Sequence, residues 1–308
     1  MSKPTILIAL GGNALIQAGQ QGTVEEQLAN LKPAMETVVK LVDKYTVVLT
    51  HGNGPHVGNI LLQQESTDEV YKQPLAVVGA MSQGQIGFLV EMALTEALHR
   101  AGKNIPFTTL VTYTIVDEND PAFQNPTKYV GPFFTEEEAK NKPYPCKDAK
   151  NGKGWRRVVA SPAPLEIGNY MEVKALIDQD VLAICVGGGG IPVKRTQYSI
   201  EGVDAVIDKD LASALLAEQA DIGTLCIATD EANVCINYTK PNEQRLTKMT
   251  VADCEKYLAE GQFPAGSMGP KVQAAASFVK KTGRNAIITT IANIEGALKG
   301  EAGTTIVP

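Results

Sequence analysis

Two short runs place a lysine where a helix is expected to begin. Asp208-Lys209-Asp210 follows an apolar stretch, and Gly269-Pro270-Lys271 opens the helical pattern over 272–281. A cation in a helix's first turn opposes the macrodipole, at a cost of ~0.3–1 kcal/mol. An anion seated at the helix N-terminus reverses that balance, so the pair suggests phosphate chemistry, although each lysine alone reads equally as a solvated surface residue. Asp208 and Asp210 can serve as N-terminal caps. Asp210 can equally hold lysine ammoniums by charge-assisted hydrogen bonds. Glycine follows strand-like runs at Gly11-Gly12-Asn13, Gly52-Asn53-Gly54 and Gly187-Gly188-Gly189-Gly190, with Gly202 after a less regular stretch. A loop without Cβ atoms lets backbone N–H groups converge on an anion, and several such loops at strand ends of one sheet are more telling than any single one.

The common phosphate-binding signatures are absent. There is no G-x-x-x-x-G-K-[ST], and Gly52 to Gly58 is one residue too long for the dinucleotide fingerprint. No H-R-D or D-F-G set marks a protein kinase. Three histidines, His51, His56 and His99, are too few and too scattered for a zinc site. Cys146, Cys185, Cys226, Cys235 and Cys254 show no C-x-x-C spacing, and Cys185 and Cys226 read as small buried hydrophobes in strands. A reducing cytoplasm is the expected compartment.

The 308 residues carry 28 basic and 34 acidic side chains, a formal net charge of −6, which argues against a basic nucleic-acid-binding face. A hydrophobic content of 44% is enough for a substantial core and excludes global disorder. No uninterrupted apolar run reaches the ~18–20 residues that span a bilayer, and the five-residue run Ile6 to Leu10 reads as a first strand, not a signal peptide. Short β-rich runs are expected at 5–10, 45–50, 107–111, 181–186, 222–228, 234–237 and 286–291. Thr23-x-x-Glu26 is a capping box opening a helix in which Pro33 implies a kink or a boundary. Ser82-x-x-Gln85 is read as the opening of another, ending at His99-Arg100 and Gly102. Alternating strands and helices predict a three-layer αβα sandwich around a mainly parallel sheet, as one domain over 1–308. The segment 119–157 breaks the pattern with five prolines, Glu136-Glu137-Glu138 and many lysines, and is expected to form a small protruding subdomain or a lid.

These motifs resemble the amino acid kinase superfamily, and within it the carbamate kinases. The similar blocks are Gly11-Gly12-Asn13-Ala14-Leu15, Thr50-His51-Gly52-Asn53-Gly54-Pro55, Met81-Ser82-Gln83-Gly84, Pro126-Thr127-Lys128, Gly187 to Pro192, Gly202 to Asp210, Met268-Gly269-Pro270-Lys271 and Glu301 to Thr305. They run in order along essentially the whole chain. The resemblance implies phosphoryl transfer between ATP and carbamate, giving ADP and carbamoyl phosphate, with Mg²⁺. It implies that Lys128, Lys209 and Lys271 neutralise the moving phosphoryl group, with Asp210 orienting the lysines and Asp208 a weaker companion. It assigns Gly11, Gly12 and Asn13 to the ATP phosphates, and Gly52, Asn53 and Gly54 to the carbamate side. Thr229, Asp230 and Met268 would form a nucleoside pocket. A homodimer acting in arginine catabolism is also implied, with no nucleic-acid or membrane partner. Many relatives in the superfamily carry a lysine on the first strand; here that position is Ala9. In carbamate kinases a lysine from the protruding subdomain is thought to replace it, which points to Lys128. His56 stands where glutamine would be expected.

A carbamate oxygen is already anionic, so attack on phosphorus needs no general base. The obstacle is repulsion between two anions, for which lysines, loop amides and a metal are a proportionate answer. Two alternatives remain at this stage. One is a superfamily kinase acting on N-acetylglutamate, glutamate or aspartate; the other is a nucleotide-binding sensor without turnover.

Overall fold

The computed structural model describes residues 3–17, 19–150, 152–263 and 267–308, apart from the side chain of Asn13. The chain begins β1 (Thr5–Leu10), α1 (Val24–Leu41), β2 (Thr46–His51), α2 (Gly54–Glu65), α3 (Leu75–Arg100), β3 (Phe107–Thr109) and β4 (Tyr113–Ile115). The proline-rich segment then folds as β5 (Lys128–Phe134), α4 (Glu136–Lys140), β6 (Cys146–Asp148) and β7 (Trp155–Val159). The main body resumes with β8 (Glu166–Ile167), α5 (Tyr170–Asp178), β9 (Leu182–Ile184), β10 (Ile191–Arg195), β11 (Ile200–Gly202), α6 (Lys209–Gln219) and β12 (Thr224–Ala228). It ends with β13 (Val234–Ile236), β14 (Gln244–Leu246), β15 (Lys248–Thr250), α7 (Val251–Ala259), α8 (Met268–Thr282), β16 (Ala286–Thr289), α9 (Ile294–Leu298) and β17 (Thr304–Val307).

The central sheet has eight strands in the order β15-β17-β16-β12-β1-β2-β9-β3. Its middle is parallel, with β1 between β2 and β12. Buried on both faces, β1 and β2 are near-continuous apolar runs instead of alternating ones. One apolar layer joins the sheet to α1 and α3, including Leu31, Met35, Ile86 and Leu94. The other joins it to α5, α6, α7 and α8 through Val173, Leu216, Cys254 and Phe278. This is the expected αβα sandwich, with one antiparallel intrusion: β17 runs against β16.

Several local expectations need correction. α1 continues through Pro33 as a single helix, so no boundary forms there. The Thr23 capping box is present, with Glu26 closing it. α3 begins at Leu75, not at Ser82, which lies buried in mid-helix. It is also the one helix among the described residues that is long and apolar enough to cross a bilayer by length and composition, which run length alone did not reveal; half of that window is buried in the interior. α2, unanticipated from sequence, has no side-chain cap and starts directly on Gly54-Pro55. Gly202 ends β11 in a separate four-stranded sheet, where a Cβ would lie 2.6 Å from that of Ala76; its role is close packing, not anion binding. Residues 128–159 include a three-stranded antiparallel sheet, β5-β7-β6. Val130 and Val159 pack it onto Val57, Ile60 and Leu61 of α2.

Candidate active site

The carboxyl ends of β1, β2 and β9 bring three glycine loops to the N-terminus of α6. Asp208 is the N-cap: its Oδ1 accepts from the backbone N–H of Asp210 at 3.0 Å and of Leu211 at 3.4 Å. That capping fixes the direction in which Lys209 and Asp210 leave the helix. Asp210 is buried and is shared by two lysines. Lys209 Nζ donates to its Oδ1 at 2.5 Å, and Lys271 Nζ, from the first turn of α8, donates to its Oδ2 at 2.9 Å. Burial would raise the Asp210 carboxyl, but the two ammoniums outweigh it and hold the group below the usual carboxylate range. Burial pushes the Lys209 ammonium down, with Lys271 adding to the effect against the pull of Asp210.

Lys128 reaches the same place from the first residue of β5, its Nζ 3.5 Å from Asp208 Oδ2. It is the more exposed of the three lysines, at 43% against 14% for Lys209 and 15% for Lys271. A cavity of about 220 Å³ lies between them, lined by Gly52, Asn53, Gly54, Lys128, Gly188, Asp208 and Lys209, with Val57, Val130 and Val206 as apolar walls. A Cβ on Gly52 would lie 3.6 Å from Gly12 Cα and 3.7 Å from Lys209 Cδ, so the first two glycine loops and the lysine stem are in mutual contact range. Gly11 closes against Ala228 O, which a Cβ would approach to 3.3 Å. The Asn13 side chain lies outside the described part.

The third loop is conformationally demanding. Val186 has φ 51° and ψ 37°, the left-handed region, where a β-branched residue is strained by about 1–3 kcal/mol. Thr112 Oγ1 accepts its N–H at 3.0 Å. Gln83 then ties the loop to α3, its Nε2 donating to Gly187 O and Thr112 O, both at 3.0 Å. Gly189, at φ +90°, passes so close to Ile207 that a Cβ would lie 2.6 Å from the Ile207 carbonyl oxygen. Glycine here lets β9 deliver its loop against the residue preceding Asp208.

Both nearby histidines are buried and neutral. His51 Nδ1 donates to Gly52 O at 3.0 Å, and burial drives the ring down to about 4, with His56 and Lys209 adding to the shift. Burial likewise lowers His56 to about 4. Gln27 spends its Nε2 on Gly22 O at 2.7 Å, so its Oε1, 2.6 Å from His56 Nε2, must be the acceptor. His56 therefore carries its proton on Nε2 and joins α2 to α1. No alternation or spacing in the sequence signals either contact.

Thr229, Asp230 and Met268 are not gathered into one pocket. Thr229 and Asp230 line a cleft of about 760 Å³ together with Asn30, Thr37 and Ile291. Met268 lines a separate depression of about 90 Å³ with Glu231, Cys235, Tyr238 and Phe263. The expected single nucleoside pocket is thus divided at the 230–231 junction. Among the described residues no group of three or more His, Cys, Asp or Glu side chains could hold a metal ion. Asp208 and Asp210 already engage lysines, so this donor set suits a divalent ion that arrives on nucleotide phosphates. Ala9 is fully buried between β2 and β12, and no cation enters the site from β1.

A phosphate-facing lysine cluster at the carboxyl edge of such a sheet defines a class of phosphotransferase. Residues 4–290 match the model of the amino acid kinase family, and the chain belongs to that family. The carbamate kinase of Thermococcus kodakarensis is 45% identical over 312 residues, covering 98% of each chain. That of Giardia intestinalis is 46% identical, again with 98% of each chain covered. The solved structure of carbamate kinase from Giardia lamblia bound to AMP-PNP superposes with a TM-score of 0.94 at 46% identity, covering 99% of this chain and 98% of the other. A UMP kinase from Ureaplasma parvum, 15% identical with a TM-score of 0.56, shares the fold alone.

Proposed function

We propose that the protein is a carbamate kinase, catalysing reversible phosphoryl transfer between ATP and carbamate to give ADP and carbamoyl phosphate. The observation that carries the reading is the Asp210 carboxylate buried between Lys209 and Lys271, with Lys128 facing it across the cavity. In the forward step a carbamate oxygen forms a bond to the γ-phosphorus. The bond from that phosphorus to the β,γ-bridging oxygen breaks, and its electron pair leaves with ADP. The loose transition state spreads negative charge over the phosphoryl oxygens, which three ammoniums and the loop amides at Gly11, Gly12 and Gly52 to Gly54 would neutralise. Mg²⁺ enters as part of the nucleotide substrate. Thr229 and Asp230, or the depression at Met268, would take the nucleoside.

The segment 119–157 acts as a lid in this reading. It is latched to the body by Lys142 Nζ on Glu65 Oε2 at 2.6 Å, by the Tyr144 hydroxyl donating to Glu65 Oε1, and by Arg157 on Asp204. Closing it would carry Lys128 inward and exclude water from an anhydride that hydrolyses readily. Flux toward ATP synthesis in arginine catabolism and a reducing cytoplasmic location complete the reading; five free cysteines accord with the latter. A homodimer is supported by α3, where Val77, Met81, Phe88 and Met92 are exposed on one helical face next to the edge strand β3. Phe88→Glu is expected to shift the protein to monomer in analytical ultracentrifugation, and an unchanged sedimentation coefficient would reject this face.

The deciding assay is ATP formation from ADP and carbamoyl phosphate, followed by luciferase. Robust turnover supports the reading, and its absence in folded protein refutes it. The competing acyl-phosphate kinases are disfavoured by Ala9, and adding N-acetylglutamate, glutamate or aspartate with ATP is expected to release no ADP.

A further inference from the structure

Asn53 sits in the cavity wall with its amide held in one orientation. Ser82 Oγ donates its single proton to the Gly79 carbonyl at 2.6 Å, since a carbonyl oxygen can only accept. What remains on Ser82 is acceptor capacity, and the Asn53 atom 2.9 Å away must therefore be the donating Nδ2. This fixes the amide by hydrogen-bond logic and leaves Oδ1 turned away from Ser82. Gly188 provides the space: a Cβ there would fall 2.1–2.2 Å from the Asn53 amide atoms, so the amide lies directly against that glycine. Among the described residues no hydrogen-bond donor is found for Asn53 Oδ1.

The other acceptors around the cavity are occupied. Asp208 Oδ1 caps α6 and Oδ2 faces Lys128. Gly52 O accepts from His51, and Asn53 O accepts from Val57 N–H. The cavity thus combines ammonium groups at Lys128 and Lys209, apolar walls at Val57, Val130 and Val206, and one fixed, unspent side-chain acceptor. Carbamate has the matching layout, with anionic oxygens at one end and an amino group at the other.

We propose that Asn53 Oδ1 accepts a hydrogen bond from the substrate amino group and so determines specificity for carbamoyl over acetyl groups, with Ser82 as the positioning residue that holds the amide. The proposal rests on the carbamate kinase reading above. A methyl group in place of the amino group leaves Oδ1 unpaired in a low-dielectric pocket, the condition under which a site rejects an analogue most strongly.

The test compares carbamoyl phosphate with acetyl phosphate as phosphoryl donors to ADP, two compounds that differ at this position by NH₂ against CH₃. In the unaltered protein kcat/KM is expected to favour carbamoyl phosphate. In Asn53→Ala the ratio of the two kcat/KM values should fall on the order of 10- to 100-fold, through loss on carbamoyl phosphate with acetyl phosphate little changed. Ser82→Ala keeps the amide but frees it to flip, and should lower the ratio in the same direction by a smaller factor. Equal losses on both substrates in Asn53→Ala would assign Asn53 a structural role and overturn the proposal, as would an unchanged ratio in both variants. Failure of the unaltered protein to make ATP from carbamoyl phosphate would instead refute the underlying reading.

Discussion

Replacing Asp210 by asparagine removes a charge while keeping the side chain's size and one acceptor oxygen. In the native site the carboxylate lies 2.5 Å from Lys209 Nζ and 2.9 Å from Lys271 Nζ, with side-chain exposures of 5%, 14% and 15% respectively. Removing one partner of a buried pair typically costs about 3–5 kcal/mol, a large share of a total stability of about 5–15 kcal/mol. The sign of the pH dependence is fixed by Lys209, whose folded value is already lowered by burial and by Lys271. Without Asp210 it falls further below the unfolded value of about 10.4. Stability then increases as pH rises toward that unfolded value, because the folded state binds fewer protons than the unfolded one. Urea denaturation of Asp210→Asn is therefore expected to show a deficit of about 3–5 kcal/mol at pH 7 that shrinks by pH 9.5. With the lysines no longer held, kcat should fall about 10²–10³-fold, the effect of losing one fixed donor in a dry site. A variant as stable and as active as its parent, or a deficit that widens with pH, would refute this account of the cluster.

Lys128→Ala should leave stability nearly unchanged, because its 3.5 Å contact with Asp208 is partly exposed; kcat should drop about 10²-fold with nucleotide Kd within about threefold, read by turnover and by calorimetry with ADP. The neutral histidines make the fold acid-sensitive. Both are held at about 4, so the unfolded chain takes up their protons first and stability falls as pH drops from 6.5 toward 4. Between pH 7 and 5 the loss is roughly 2 kcal/mol per histidine, and His56→Gln should flatten the denaturation profile over that range. Gly189→Ala forces a Cβ to within 2.6 Å of the Ile207 carbonyl at φ +90°. It should cost at least about 1–3 kcal/mol in thermal denaturation and lower kcat by displacing Asp208 and Lys209.

The parts of this molecule that were legible in the sequence are those whose signals are local. β1 is bounded by polar residues and glycine, and its observed limits coincide with the run Thr5–Leu10. The N-terminus of α6 was readable because Asp208 caps it through its own side chain. α2 was not, since it starts without a side-chain cap, on a glycine and a proline that read as loop. Ser82-x-x-Gln85 misled for the converse reason. It has the composition of a capping box, but Ser82 is committed to Gly79 O and Asn53 Nδ2 within a helix that starts seven residues earlier, uncapped, after Pro74. Burial of His51 and His56 depends on packing between elements distant in sequence, which no local pattern encodes. The same holds for the division between Thr229 and Met268, which are adjacent in motif logic but line different depressions.

The charge arrangement explains how a site built for two anions can stand without them. Three ammoniums and two carboxylates leave 3 − 2 = +1 around the cavity, and the buried histidines add nothing because burial keeps them neutral. Three unpaired buried ammoniums would be prohibitively costly, whereas paired ones are tolerable. Pairing does not exhaust them. Each ammonium has three N–H donors, and Asp210 takes one from Lys209 and one from Lys271. Two donors on each remain to turn toward phosphoryl oxygens without breaking the contact that positions them. A single carboxylate bridging two lysines therefore stabilises the empty site and orients the donors for the loaded one. A separate acid for each lysine would place a second negative charge against the substrate, and a neutral bridge would leave the lysines uncompensated when the site is empty.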